Sequence, residues 1–185
     1  MTIGIDIDDT ITNSTQKVKE YLEKYDSDYG NQLLNNLEEI IRGFLIDDMT
    51  KKFFNDFAET MGNEIEVKEN AREVIDKLRS EGNRIIIVTA RSNNFYKDAQ
   101  KFCEEYLKRN NINYDKLITS QTYKIECCRN ENIDLMIDDA IDTVENLNKE
   151  GIKSILFNSD INKSKETNVK RVNDWLEVYY YIHNL

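Results

Sequence analysis

Thr2-Ile3-Gly4-Ile5-Asp6-Ile7-Asp8-Asp9-Thr10 decides the fold. Its first half is short, apolar and β-branched, as a strand buried on both faces requires. Its second half is a cluster of carboxylates, placed where such a strand would leave a sheet. A second run of the same kind, Arg84-Ile85-Ile86-Ile87-Val88-Thr89, is the clearest buried strand in the chain, and it too ends on a polar group. Two buried strands far apart in sequence, each ending in chemistry, predict a sheet with a site along one edge.

Working outward, the pattern alternates. Ala71, Val74, Ile75 and Leu78 recur at helical spacing, and Gly82 is placed to close that helix. Beyond Thr89 the reading gives a helix over 95–110, a strand over 117–119 and a helix over 123–130. A strand over 133–137 follows, then a helix over 142–150 closed by Gly151, a strand over 154–157 and a final helix over 169–183. Strands alternating with helices predict an α/β fold, a Rossmann-like parallel sheet with helices on both faces. Such sheets take ligands in the crevice at the carboxyl ends of their strands. Between the first two strands the character changes. Val18, Tyr21, Leu22 and Tyr25, then Leu33, Leu34, Leu37, Ile40 and Ile41, then Phe53, Phe54 and Phe57 repeat at helical spacing with no strand signal. A small helical cap over 14–67 is therefore expected, inserted after the first strand into a core made of 1–13 and 68–185.

Composition narrows the chemistry. Of 185 residues, 35 are Asp or Glu and 25 are Lys or Arg, a formal charge of -10. Neither duplex nucleic acid nor an anionic membrane surface suits so acidic a chain, since both need clustered basic residues. No apolar stretch approaches the ~18 residues of a membrane span, and a strand beginning at Thr2 leads us to expect no signal peptide and a cytoplasmic address. The single histidine, His183, falls at the end of the last expected helix and reads as a surface residue. That disfavours a Ser–His–Asp or Cys–His enzyme. Cys103, Cys127 and Cys128 supply no zinc ligand set. Cys103 and Arg109 match the bare spacing of cysteine phosphatases. The stretch between them lacks glycine, carries Glu104 and Glu105, and reads as a helix. Asn13-Ser14-Thr15 and Asn162-Lys163-Ser164 match the glycosylation pattern, which a cytoplasmic chain would leave unused.

The expected strand ends carry a specific set: Asp6 and Asp8, Thr89, Lys124 just beyond the third strand, and Asp138-Asp139. Carboxylates gathered at one edge repel one another unless a cation sits among them. Hard oxygen ligands with positions left for water and phosphate describe a Mg2+ site. Lys124 and Thr89 would then add a charge and a hydroxyl for a bound phosphate. A carboxylate attacking phosphorus is a recognised form of covalent catalysis. An EF-hand fails because Ile11 stands where glycine is needed. A response-regulator receiver fails on order, since its acid pair comes first and here it comes last.

These residues, in this order, resemble the four motifs of the haloacid dehalogenase (HAD) superfamily, and the helical insertion sits where that superfamily places a cap. Thr89-Ala90-Arg91 and the Asp-Asp ending are similar to its deoxyribonucleotidase-like and bacterial nucleotidase branch. The resemblance implies Asp6 as nucleophile and Asp8 as the acid that protonates the leaving alcohol and then activates water. It implies Mg2+ held by the Asp6 carboxylate, the Asp8 carbonyl and Asp138, with Asp139 orienting the metal's surroundings. Thr89 and Lys124 would hold phosphoryl oxygens, and Arg91 is a further candidate for phosphate. An acid that donates a proton should titrate above the ~3.9 of a free Asp, so a raised Asp8 is expected. Asp142 is an alternative second acid, although a helix N-cap suits it better. Most cap aromatics read as cap core; Phe44, after Arg42-Gly43, is the one expected to reach substrate. The implied activity is a Mg2+-dependent phosphomonoesterase, with a nucleotide as the favoured small phosphorylated metabolite. The alternatives are a sugar-phosphate phosphatase or a phosphate-binding regulatory protein without turnover.

Overall fold

In the computed structural model, which describes residues 1–25, 27–41 and 47–185, six strands are found among the described residues. They are β1 (Thr2–Ile5), β2 (Arg84–Val88), β3 (Lys116–Ile118), β4 (Leu135–Asp138), β5 (Ser154–Phe157) and β6 (Arg171–Val172). All pairings are parallel, in the spatial order β3-β2-β1-β4-β5-β6. Between β1 and β2 come α1 (Ser14–Lys24), α2 (Ser27–Asn35), α3 (Leu37–Ile41), α4 (Asp48–Glu64) and α5 (Ala71–Ser80). The remaining helices are α6 (Ala99–Arg109), α7 (Ile125–Asn130), α8 (Ile141–Lys149) and α9 (Trp175–His183).

The two-residue period of the strands divides their side chains between two layers. Ile3, Ile5, Ile85, Ile87, Leu135, Ile137, Ile155 and Phe157 pack against α5, α6 and α9. Ile86, Val88 and Met136 face the other way, onto Cys127 and Cys128 of α7 and Leu147 of α8. Gly4 belongs to this second face. A Cβ there would lie 2.6 Å from the Met136 sulfur and 2.9 Å from Ile133 Cδ1, so only glycine lets Met136 close over β1. The sheet is thus covered on both sides, as its apolar strands require.

The helices between the strands form a third cluster. Val18, Leu22, Leu33, Ile40, Phe53 and Met61 bury one another, with Tyr21, Tyr25, Phe54 and Phe57 packed against them. The chain enters and leaves this helical segment side by side. Thr12 bridges Val67 antiparallel, Asn13 N–H donates to Glu66 O at 3.0 Å, and Lys68 N–H donates to Ile11 O at 2.8 Å.

Several boundaries differ from expectation, for local reasons. The last helix starts at Trp175, where the Asp174 carboxylate accepts from Glu177 N–H, and the preceding residues contribute β6 instead of a helical turn. Helix α6 starts at Ala99 because Asp98 caps it through Lys101 N–H. Lys124 is the N-cap of α7 rather than an interior residue. Asp142 lies inside the first turn of α8, not at its cap; Ala140 holds that position, and its N–H donates to Asp138 Oδ1 at 2.9 Å. His183 is exposed beside Glu81, and Cys103 and Arg109 lie along one helix, as read.

Candidate active site

The sheet order reverses between β1 and β4, since β2 and β3 extend one way and β5 and β6 the other. At such a point the connections leave in opposite directions and open a crevice above the strand ends. Pairing of Ile5 with both Ile87 and Ile137 brings Asp6 level with the last residue of β4, and Asp6 N–H donates to Ile137 O at 3.0 Å. Beyond Ile7 the chain folds over itself, with Ile11 and Thr12 both donating to Ile7 O. Asp9 takes a positive φ of 55°, a conformation Asp tolerates better than most residues. Trp175 pins this loop from below by donating its indole N–H to Thr10 O at 3.1 Å.

Lys124 reaches into the crevice from the start of α7. Its ammonium donates to Asp6 Oδ1 at 2.5 Å and to Asp138 Oδ2 at 2.6 Å, and all three side chains are buried. One cation therefore serves two carboxylates, and two more acids stand beside them. Burial pushes the Asp6 carboxyl up to about 7, outweighing Lys124, with repulsion from Asp138 and Asp8 adding to the rise. Burial, with Asp9, Asp138 and Asp6 nearby, holds Asp139 well above the usual carboxylate range. Asp9 is raised as well, by burial, against the bonds it accepts from Thr15. Lys124 is itself raised, since the attraction of Asp138 and Asp6 exceeds the cost of its burial. The cluster is short of positive charge.

Asp8 differs. Arg91 donates to both of its oxygens, at 3.2 and 3.0 Å from Nε and 2.7 Å from Nη2, and Ser14 Oγ donates at 2.5 Å. Burial works to raise Asp8, but Arg91 beside it prevails and holds the carboxyl below its usual range. The expected rise is thus reversed. Arg91 is buried and surrounded by the rings of Tyr96, Phe102 and Tyr106, so its guanidinium faces Asp8 and not open space.

A cleft of about 160 Å³ opens over this edge. Asp6, Asp8, Lys124, Asp138, Asp139 and Asp142 line it; Thr89 and Arg91 do not. Thr89 is fully buried, and its hydroxyl accepts from Arg91 N–H at 3.2 Å, so it shapes the loop that carries Arg91. Phe44 lies outside the described residues; Ile41 of α3 and Lys165 both reach the cleft, and Lys165 pairs with Glu38 of α3. Sequence reasoning missed Asp9, whose place next to Asp8 was a signal. It also missed Ser14 and Thr15, read only as a glycosylation pattern, which donate to Asp8 and Asp9. Asn162, which anchors Asp139 by donating to its carbonyl at 2.7 Å, was likewise read only as a glycosylation pattern.

Among the described residues no group of three or more Asp, Glu, His or Cys side chains is arranged as a ready metal cage. A Mg2+ ion does not need one, because it dehydrates reluctantly and binds through one or two carboxylates plus waters and substrate phosphate. Asp6 and Asp138, both buried at the cleft and sharing Lys124, suit that demand, and the charge deficit of the cluster favours a divalent cation.

The family model for the 5′ nucleotidase, deoxy (pyrimidine), cytosolic type C proteins matches residues 1–185. The chain belongs to this family. It is a hydrolase of the HAD superfamily, a phosphatase acting on a phosphorylated small molecule. Nucleotidase CA_C3379 of Clostridium acetobutylicum is 30% identical over 197 residues, covering 100% of this chain and 95% of that protein. YqfW of Bacillus subtilis is 29% identical over 188 residues, covering 98% and 93%. In fold the nucleotidase-family chain is similar to YfnB of Bacillus subtilis, solved bound to magnesium, with a TM-score of 0.69, 15% identity and coverage of 98% and 97%. No helix among the described residues is long and apolar enough to cross a membrane.

Proposed function

We propose that the chain hydrolyses nucleoside monophosphates with Mg2+, through an aspartyl-phosphate on Asp6. The reading rests on one observation above all: Asp6, Lys124 and Asp138 in mutual contact at the sheet's switch point, with too little positive charge among them. An Asp6 oxygen attacks phosphorus as the bond to the leaving oxygen breaks, and that oxygen takes up a proton. Water then attacks the phosphorus of the acyl phosphate, its proton passes to a base, and the bond to Asp6 breaks. Lys124 holds Asp6 in line and balances charge on the phosphoryl oxygens. Mg2+, when bound at Asp6, Asp138 and the Asp8 carbonyl, supplies charge that neutralises the phosphate and favours the ionised nucleophile.

Asp8, held ionised by Arg91, is prepared for the second step, in which it takes the proton of the attacking water. For the first step it has to leave the guanidinium and acquire a proton, and a shut cleft that excludes water would favour this. Residues 14–67 are proposed as the cap that shuts it. A separate apolar cluster within these helices and the paired strands of chain at Thr12 and Val67 support that division. Nucleotides are favoured as substrates by the family and by the nucleotidase from Clostridium acetobutylicum.

A panel of nucleoside and sugar monophosphates, assayed with Mg2+ and with EDTA, tests the reading. Phosphate release on nucleotides is expected with Mg2+ only, and Asp6→Asn is expected to lower it at least ~10³-fold, as loss of a covalent nucleophile does elsewhere. Full activity in EDTA, or in Asp6→Asn, would sink the mechanism.

A further inference from the structure

One aromatic side chain at the cleft does nothing for the fold. Tyr123 is 84% exposed, the most exposed large apolar residue among those described. An aromatic ring left in water at the mouth of a catalytic cleft forgoes its burial free energy unless something covers it. It lines that cleft and directly precedes in sequence Lys124, whose ammonium touches Asp6.

Among the described residues, the aromatics of the helical segment pack on one another. Tyr21, Tyr25, Phe53, Phe54 and Phe57 pack edge to face or tilted on one another, with Phe54 also against Phe95. Tyr123 has no ring partner among the described residues. Thr143 and Asn146 of α8 line the same cleft, as do the apolar Ile125 and Leu147. The Asn146 amide, exposed on the helix, carries two donors and an acceptor with no side-chain hydrogen bond among the described residues.

Volume decides where a leaving group must go. The cleft holds about 160 Å³, below the ~300 Å³ at which pockets for drug-sized ligands begin. With the phosphoryl end at Asp6 and Lys124, the rest of a nucleotide would extend toward the exposed part of the lining, to which Tyr123 and Asn146 belong. An aromatic face with one free amide is matched by a flat heterocycle with donors and acceptors on its edge.

We propose that Tyr123 and Asn146 form the leaving-group subsite and take the nucleobase, by stacking on Tyr123 and edge hydrogen bonds to Asn146. This rests on the phosphatase reading above and adds which residues contact the base. The test compares deoxyuridine 5′-monophosphate with 2-deoxyribose 5-phosphate, which differ only by the base, in the wild-type enzyme with Mg2+. The wild type is expected to prefer the nucleotide in kcat/KM by about tenfold or more. Tyr123→Ala should cut that preference about tenfold, Tyr123→Phe should keep it, and Asn146→Ala should lower it while weakening discrimination among bases. Hydrolysis of both substrates with no preference, or a preference that Tyr123→Ala leaves intact, overturns the subsite while the phosphatase stands. Hydrolysis of neither overturns both.

Discussion

The two carboxylates of the first strand's loop sit two residues apart and live in opposite electrostatic surroundings. Asp6 shares a single lysine with Asp138 among further acids, and burial lifts its carboxyl to about 7. Asp8 has an arginine to itself and is held below its usual range. The residue types are identical, so the difference comes from their surroundings: burial and neighbouring acids prevail over Lys124 at Asp6, and Arg91 prevails over burial at Asp8. Where neighbouring acids are pushed apart in this way, their chemical roles divide. Asp6 waits for a cation before it can ionise fully; Asp8 waits to lose one before it can carry a proton.

Breaking the Asp8 side should give the larger effect. Arg91→Ala leaves a half-buried carboxylate facing the rings of Tyr96, Phe102 and Tyr106 without its partner. Loss of one member of a buried pair costs about 3–5 kcal/mol, and the low end applies because the Asp8 side chain is 35% exposed. Denaturant unfolding of Arg91→Ala against wild type measures this. Arg91→Lys keeps the charge without the fork and should recover only part of the loss. Equal stability of all three would remove the contrast.

The Asp6 side should give a smaller and pH-dependent effect. Asp6 rises from 3.8 to about 7 on folding, so the folded protein binds that proton more tightly than the unfolded chain. Its contribution is fully present below 3.8 and is lost as pH climbs through about 7; Asp9 and Asp139 act in the same direction. Asp8, being lowered, works oppositely, and its contribution is lost only as pH falls below 3.8. In EDTA the melting temperature should therefore decline between pH 5 and pH 8, by roughly 2–4 °C for each kcal/mol lost in a chain of this size. Mg2+ should restore it, most at the alkaline end. A flat EDTA profile would place the acids in milder surroundings than their contacts imply.

Much of this was legible in the residues. Residues 3–5 and 85–88 are so uniformly apolar that a sheet covered on both faces suits them, and their polar endings marked the edge where the acids gather. β6 was not legible, because Arg171 and Val172 are too few to show a period, and pairing with β5 alone makes them a strand. The reversal at Asp8 was hidden for a similar reason. Nothing within a few residues of Asp8 predicts that Arg91, 83 positions away, will be folded onto it. Long-range partners set the electrostatics, and the sequence pattern reports only which residues stand at the edge.

The division between the two acids can be read directly by a ¹³C NMR titration of the Asp6 and Asp8 carboxyl carbons, assigned with the Asn variants, in EDTA and in Mg2+. In EDTA, Asp6 should titrate near 7 and Asp8 below 3.8. Mg2+ should draw the Asp6 midpoint down and leave Asp8 below 3.8. Midpoints for Asp6 and Asp8 that coincide in EDTA, or an Asp6 midpoint that Mg2+ does not move, would contradict the account.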